Sequence, residues 1–235
     1  SMACETRTTC PYCGVGCGVI ATVDDAGSVS VRGDPEHPAN FGRLCSKGSA
    51  LAETLGLEGR ALFPEIHGAR TSWETALDQI AERFTNTIAE HGPDSVAFYV
   101  SGQLLTEDYY VANKLMKGFI GSGNIDTNSR LCMASSVAGH RRAFGADTVP
   151  GTYEDLELAD LVVLVGSNLA WCHPVLYQRL AAAKASRPTM KVVVIDPRRT
   201  ATSDLADLHL SVRPDGDVAL FNGLLAHLAE TDKVD

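Results

Sequence analysis

The sequence predicts an α/β protein in which a small β-rich module precedes a Rossmann-like parallel sheet flanked by helices. Three observations carry this reading. Three cysteines crowd the glycine-rich stretch "TTCPYCGVGCGV", a two-residue alternation of apolar and polar side chains follows it, and from Thr71 onward helical and strand periods alternate to the end of the 235 residues. Alternation of that kind builds a parallel sheet covered by helices.

The elements follow in order. "VIATVDDAGSVSVRGD" alternates around the turn "DDAG" and reads as a β-hairpin. "EGRALFPEIHGAR" marks a boundary, which divides the chain into a module over 1–61 and an α/β domain over 62–235. "TSWETALDQIAERFTNTIAEHG" has a capping box in Thr71 and Glu74, then Ala76, Leu77, Ile80, Phe84 and Ile88 at helical spacing. "SVAFYVSG" is expected as a buried strand, "EDYYVANKLMKGFIG" and "ASSVAGHRRAFG" as helices, and "LVVLVGSN" as an apolar strand. "HPVLYQRLAAAKASRP" reads as a helix, "KVVVIDPRRT" and "LHLSVRPDGD" as strands running into turns, and "VALFNGLLAHLAE" as a last helix.

Composition excludes several classes. A formal charge of −9 with scattered basic residues argues against a nucleic-acid partner, which needs concentrated Lys and Arg to neutralise phosphates. The longest apolar run, from Leu161, is too short to cross a bilayer, so no membrane partner is expected. No export signal is visible and cytoplasm is the default, although the leading Ser-Met reads as a cloning scar that leaves any native targeting segment out of view.

Seven cysteines in such a compartment are not expected to form disulfides, because thiols there stay reduced and an odd number cannot pair completely. Cys10, Cys13, Cys17 and Cys45 follow C-x2-C-x3-C-x27-C. Three thiolates on a tight loop can cover one side of a 4Fe-4S cubane, with Gly14, Gly16 and Gly18 letting the loop curl, and the fourth closes the cage. Tetrahedral zinc is the alternative, although its ligands come more often as two separated C-x2-C pairs. Cys4 falls outside the spacing and reads as a free thiol. Lys47, two residues after Cys45, is either a solvated charge or a cation facing something anionic.

In a doubly wound sheet ligands gather beyond the carboxyl ends of strands. The residues there are Ser101-Gly102-Gln103, Gly166-Ser167-Asn168, Asp196-Pro197-Arg198-Arg199-Thr200 and Pro214-Asp215-Gly216-Asp217. Each has a plain reading as turn chemistry. Four polar turns on one sheet edge favour a nucleotide-like ligand, with Gly166 allowing close approach to a phosphate and Asp196 able to accept bonds from a ribose or a guanine edge. No G-x-G-x-x-G stretch occurs, which disfavours an ordinary NAD site. Cys132, in "NSRLCMASSVAGH", stands where a helix begins, a location that favours thiolate, although from the residues alone a buried inert cysteine is the favoured reading, because free cysteine is common in cores.

Together "RTTCPYCGVGCGV" and "NSRLCMASSVAGH" resemble the molybdopterin oxidoreductases that carry bis(molybdopterin guanine dinucleotide) and an N-terminal 4Fe-4S cluster, most of all prokaryotic nitrate reductases of the assimilatory and periplasmic kind. The resemblance runs end to end. It implies reduction of nitrate to nitrite, with Cys132 as molybdenum ligand, Lys47 between cluster and pterin, and Gln103, Asn168, Asp196 and Asp217 on the dinucleotide portions, where Gly166 and Arg198 also stand. Arg130 and His140, flanking Cys132, are candidates to position an anionic substrate. Electrons would come from a donor such as ferredoxin, flavodoxin or an NADH-linked reductase component. Formate dehydrogenases typically place His where this chain has Met133, and related electron-carrying subunits that have lost the pterin site would not be expected to retain Cys132. The family's chains are longer, so the sequence resembles an N-terminal fragment. It is expected to hold the cluster while carrying roughly half of a shared cage for the molybdenum cofactor, which on its own binds weakly or not at all. Cys132 is expected at the sheet's carboxyl edge, facing the same cleft as Gln103, Asn168 and Asp196.

Overall fold

The computed structural model describes residues 4–234; the leading Ser-Met lies outside them. In chain order the described elements are β1 (Cys4–Thr9), β2 (Gly18–Val23), β3 (Val29–Gly33), α1 (Ser46–Ser49), β4 (Glu65–Ile66), β5 (Ala69–Arg70), α2 (Trp73–His91), β6 (Phe98–Val100), α3 (Thr106–Lys114), β7 (Ile125–Thr127), α4 (Ser129–Phe144), α5 (Tyr153–Leu158), β8 (Leu161–Val165), α6 (Leu169–Cys172), α7 (Pro174–Ser186), β9 (Lys191–Ile195), β10 (Leu208–Leu210) and α8 (Asp217–Glu230). They pack as two compact units. One combines the residues up to Gly56 with those from Gly151 onward, and the other is Leu57–Pro150. Packing thus groups the cysteine module with the distant half of the α/β region, a pairing that a division along the chain at 61/62 does not show.

In the first unit β1, β2 and β3 form an antiparallel sheet in that order. The expected hairpin is there: Asp24 Oδ1 accepts from the amides of Ala26 and Ser28 at 2.9 and 2.8 Å, and this Asx turn reverses the chain between β2 and β3. β1 joins it as a third strand, with Thr9 opposite Gly18. The second sheet has the order β10-β9-β8 and is parallel throughout, with Val163 opposite Val193 and Val193 opposite Leu208. Its core comprises Val162, Leu164, Met190, Val192 and Val194 from the strand region, with Leu169 and Leu180 from the helices. Pro174 opens α7, where its missing N–H leaves no helical bond unmade.

β8 is the apolar strand expected from "LVVLVGSN", and its burial alternates. Val162 and Leu164 are buried, while Leu161, Val163 and Val165 stay open among the described residues. Asp207 fastens the sheet from its far side. One carboxylate oxygen accepts from Lys184 Nζ at 2.5 Å and from the Val192 amide at 2.8 Å, and Lys191 Nζ stands 3.6 Å from the other.

In the second unit β4 and β5 form a short hairpin just before α2. Thr71, expected as the helix cap, donates its amide to the Pro64 carbonyl at 3.0 Å and so belongs to that hairpin. The cap is Ser72, whose hydroxyl accepts from Thr75 N at 3.1 Å. β6 pairs in parallel with β7 over three residues, with Phe98 opposite Ile125. "SVAFYVSG" is therefore shorter and more exposed than expected, with Val96, just ahead of β6, as its buried residue. The single helix expected over 107–121 is α3 followed by a wider π turn, Leu115–Ile120, that sinks Met116 completely. The four polar turns consequently belong to two parallel sheets: the Gln103 turn follows β6, and the other three follow β8, β9 and β10.

The Asp207 contacts predict a pH effect. Hydrogen bonding from Lys184 first, then from the Val192 amide, lowers this carboxyl to about 2. A lowered carboxyl adds stability that is complete above its ordinary value of about 3.9 and disappears as pH falls toward 2. Thermal melts of Asp207→Asn and the parent should therefore differ most above pH 4, and the difference should narrow between pH 4 and 2.

Candidate functional site

The thiol loop begins where the β1–β2 ladder ends. Cys10 N donates to Cys17 O at 2.8 Å, closing the loop at its mouth, and Gly14 and Gly16 take left-handed φ of 73° and 75° within it, which side chains with a Cβ resist. Cys45 arrives from the other side, immediately before α1. What brings it there is Asn40, fully buried. Its Nδ2 donates to the carbonyls of Gly18 and Arg43 at 3.0 and 2.9 Å, and its Oδ1 accepts from Gly18 N at 2.8 Å. One amide side chain thus ties the residue after Cys17 to the approach of Cys45. A Cβ on Gly18 would collide with the His37 ring, so glycine is required at this junction.

Elements more than a hundred residues away complete the pocket. Val15, Cys17 and Val175 form a buried apolar cluster against which Cys10, Cys13, Leu44, Tyr153 and Leu176 pack. Tyr153 Oη donates to Val15 O at 2.8 Å, and Gln178 Nε2 reaches Leu44 O at 3.4 Å, so both cysteine-bearing loops are held from α5 and α7. Arg179, 1% exposed in its side chain, donates through Nη1 to the carbonyls of Pro38 and Ala39 at 2.8 and 2.9 Å and through Nε to Glu157 at 2.6 Å.

Burial pushes the Cys17 thiol up to about 11, and the neighbouring sulfurs of Cys10, Cys13 and Cys45 push in the same direction. A thiolate at Cys17 would thus be opposed by thiolates at the other three positions as well as by burial. Among the described residues no group of three or more His, Cys, Asp or Glu stands ready to hold a metal ion, so the fit rests on the donors themselves. Four sulfurs on a curled loop and a later turn, in an apolar pocket, suit a 4Fe-4S cubane, whose iron charge offsets the repulsion. Lys47 is exposed on α1, two residues from Cys45, and its ammonium has no partner among the described residues.

The turns beyond β8 and β9 are built around Thr202, fully buried. Its hydroxyl donates to Asn168 Oδ1 at 3.0 Å and accepts from Ala170 N at 3.0 Å, so Asn168 is fixed by a threonine that sequence reading missed. Gly166 has φ 57° and donates its amide to Ile195 O at 2.8 Å. Asp196, 8% exposed, accepts the Arg198 amide at 2.8 Å and so shapes the turn that leaves the Arg198 side chain in the open. Asp217 sits half-buried in the first turn of α8.

In the other unit, Asn128 Oδ1 accepts from Gly102 N at 2.6 Å and draws the Gln103 turn to the start of α4. Cys132 lies in the first turn of that helix, exposed, directly before a non-helical Met133 (φ −126°, ψ 17°). Cys132 and Gln103 thus both stand beyond carboxyl ends of the β6–β7 pair, whereas Asn168 and Asp196 stand beyond those of β8 and β9. Arg130 lines a cleft of about 550 Å³ together with Met133, Arg141, Asp126 and Asp147, and its Nε is 3.7 Å from Asp126 Oδ1. His140 does not join it. Its Nδ1 is turned to Ser136 O at 2.8 Å, and its ring lies 6.0 Å from that of Phe144. Arg141, unremarked in the sequence, is the second guanidinium of the cleft; helical spacing from Met133 and Val137 places it there.

The family model for the molybdopterin oxidoreductase Fe4S4 domain matches residues 4–56, and that for molybdopterin oxidoreductase matches residues 68–235. A nitrate reductase from Klebsiella oxytoca is 67% identical over 230 residues, 98% of this chain and 27% of the relative. A periplasmic nitrate reductase from Desulfovibrio desulfuricans is 45% identical over 93% of this chain and 30% of its own length. The acetylene hydratase from Pelobacter acetylenicus superposes with a TM-score of 0.79 at 26% identity, over 96% of this chain and 32% of that one. The chain therefore spans between a quarter and a third of these relatives' lengths. No helix among the described residues is long and apolar enough to cross a membrane. With the Fe4S4-domain model matched over the cysteine module and the molybdopterin oxidoreductase model over the α/β region that follows, the chain belongs to the molybdopterin oxidoreductase family.

Proposed function

We propose that the protein containing this chain reduces nitrate to nitrite at molybdenum, with electrons delivered through a 4Fe-4S cluster held by Cys10, Cys13, Cys17 and Cys45. The observation that carries the reading is 67% identity, across nearly the whole chain, to a nitrate reductase. When bound, the molybdenum–pterin group supplies the oxygen-atom exchange and the cluster supplies electrons singly. The remaining work falls to side chains.

Cys132 offers a soft thiolate to the metal, and its exposure at the start of α4 supports that role. Arg130 and Arg141 bring two guanidinium groups to one cleft, a donor set suited to an anion, with Asp126 3.7 Å from Arg130 as counter-charge. His140 has a lesser claim, since its ring is engaged with Ser136. Lys47 opposes the negative charge that reduction adds beside Cys45. Gln103, Gly166, Asn168, Asp196, Arg198 and Asp217 present amides, carboxylates and a guanidinium for the dinucleotide portions of the pterin, supported by their places beyond strand ends. Nitrate assimilation in the cytoplasm, fed by ferredoxin, flavodoxin or an NADH-linked component, is the setting proposed; the exposed thiols of Cys4 and Cys172 favour a reducing compartment.

Three outcomes test this. Anaerobically purified protein should contain about four irons per chain, the cubane stoichiometry, and stoichiometric zinc in its place would refute the cluster reading. In the full-length enzyme, Lys47→Met should leave iron content and melting unchanged while slowing turnover at least about tenfold, a barrier increase of ~1.4 kcal/mol. Cys132→Ala should abolish nitrate reduction with the cluster's visible absorption intact, and Cys132→Ser should leave weak activity at most, because a hydroxyl is a harder donor than thiolate.

A further inference from the structure

Tyr153 is the one hydroxyl donor aimed into the thiol loop from outside the N-terminal module among the described residues. Its Oη donates at 2.8 Å to the carbonyl of Val15, the residue midway between Cys13 and Cys17. The peptide that accepts this bond carries the Gly16 N–H, which belongs to the same curled loop. Donation to a carbonyl polarises its peptide and strengthens the N–H on the other end as a donor to an anion. The ring is held with care: the Arg179 guanidinium carbon lies 5.7 Å from its centroid and 5.1 Å from that of Phe41, and Nη2, which has no hydrogen-bond partner, stands 3.8 Å from Glu154 Oε1. A buried cation with one unpartnered nitrogen is costly, and the contacts made by its other nitrogens fix the loop over residues 38–41 and α5 together, leaving the phenol little freedom.

We propose that Tyr153 is a positioning residue that raises the reduction potential of the cluster by polarising the Val15–Gly16 peptide. This rests on the cluster reading above. Adding one electron from a carrier protein gives the four-thiolate cluster one further negative charge, and a better N–H donor beside it stabilises that reduced form. Hydrogen bonding around the sulfurs is among the main determinants of such potentials. The aromatic ring supplies packing, and the hydroxyl alone supplies the electrical effect, so the two separate cleanly by substitution.

The test is an EPR-monitored redox titration, with dithionite as reductant, of the full-length enzyme carrying Tyr153→Phe. The ring and its contact with Arg179 remain, so iron content should stay at about four per chain while the cluster midpoint moves to more negative potential. Tyr177→Phe is the control, because that hydroxyl reaches Ala201 O at 3.4 Å, away from the thiols, and its loss should leave the midpoint where it was. A Tyr153→Phe midpoint equal to or above the parent's, with iron retained, overturns the proposal. A parent protein without a four-iron cluster overturns the cluster reading instead. Should Tyr153→Phe lose its iron, the residue is an anchor for the loop and not a determinant of potential, which also overturns the proposal.

Discussion

A guanidinium buried to 1% exposure is the constraint around which the cysteine-bearing unit is arranged. Arg179 cannot leave water without partners, and it finds them at Glu157 and at two carbonyls, Pro38 and Ala39, about 140 positions earlier in the chain. Removing one partner of such a buried charge typically costs about 3–5 kcal/mol, because the remaining group stays uncompensated. The arginine therefore acts as a register pin. It specifies which stretch of the first module lies against α7, and with that stretch fixed, Val175 reaches Cys17, Gln178 reaches Leu44 and Tyr153 reaches Val15.

The cysteine loops depend on a second buried polar group. Asn40 makes three hydrogen bonds to the backbone at once and brings Gly18 against the run-up to Cys45, so the two cysteine-bearing segments are tied together by the fold itself. Burial first, and the sulfurs of Cys10, Cys13 and Cys45 after it, push the Cys17 thiol up and disfavour a bare thiolate there. A cationic cluster bound to these donors would offset both effects, which is how metal binding would couple to folding of this module.

The turns beyond the strands show the same division of labour. Thr202 orients Asn168, and Asn128, the first residue of the "NSRLC" stretch, orients the Gln103 turn. Candidate ligand-facing residues are short, polar and recognisable, but the residues that aim them lie elsewhere in the chain, and neither Thr202 nor Asn128 shows from local pattern which turn it holds. Among the described residues the same β8 side chains that a core strand would bury on both faces stay open on one, so apolar composition alone overstates how much of this sheet is covered.

Much was legible in the residues themselves. The cysteine spacing, the hairpin between the third and fourth thiols, the main helices and the strands β8, β9 and β10, and the thiol at the start of α4 are local properties, set by periodicity, turn chemistry and short-range spacing, whereas the short elements β1, β7 and α5 went unread. What the tertiary structure alone decided is which distant pieces meet. The return of residues from Gly151 onward to the cysteine module, the split of the strands into two parallel sheets, the displacement of the α2 cap from Thr71 to Ser72 by the preceding hairpin, and the gathering of Arg130 with Arg141 but not His140 all follow from packing and hydrogen-bond satisfaction. Those forces act between residues far apart in sequence, and buried polar groups such as Arg179, Asn40 and Thr202 have their partners determined by the fold, which no local pattern records.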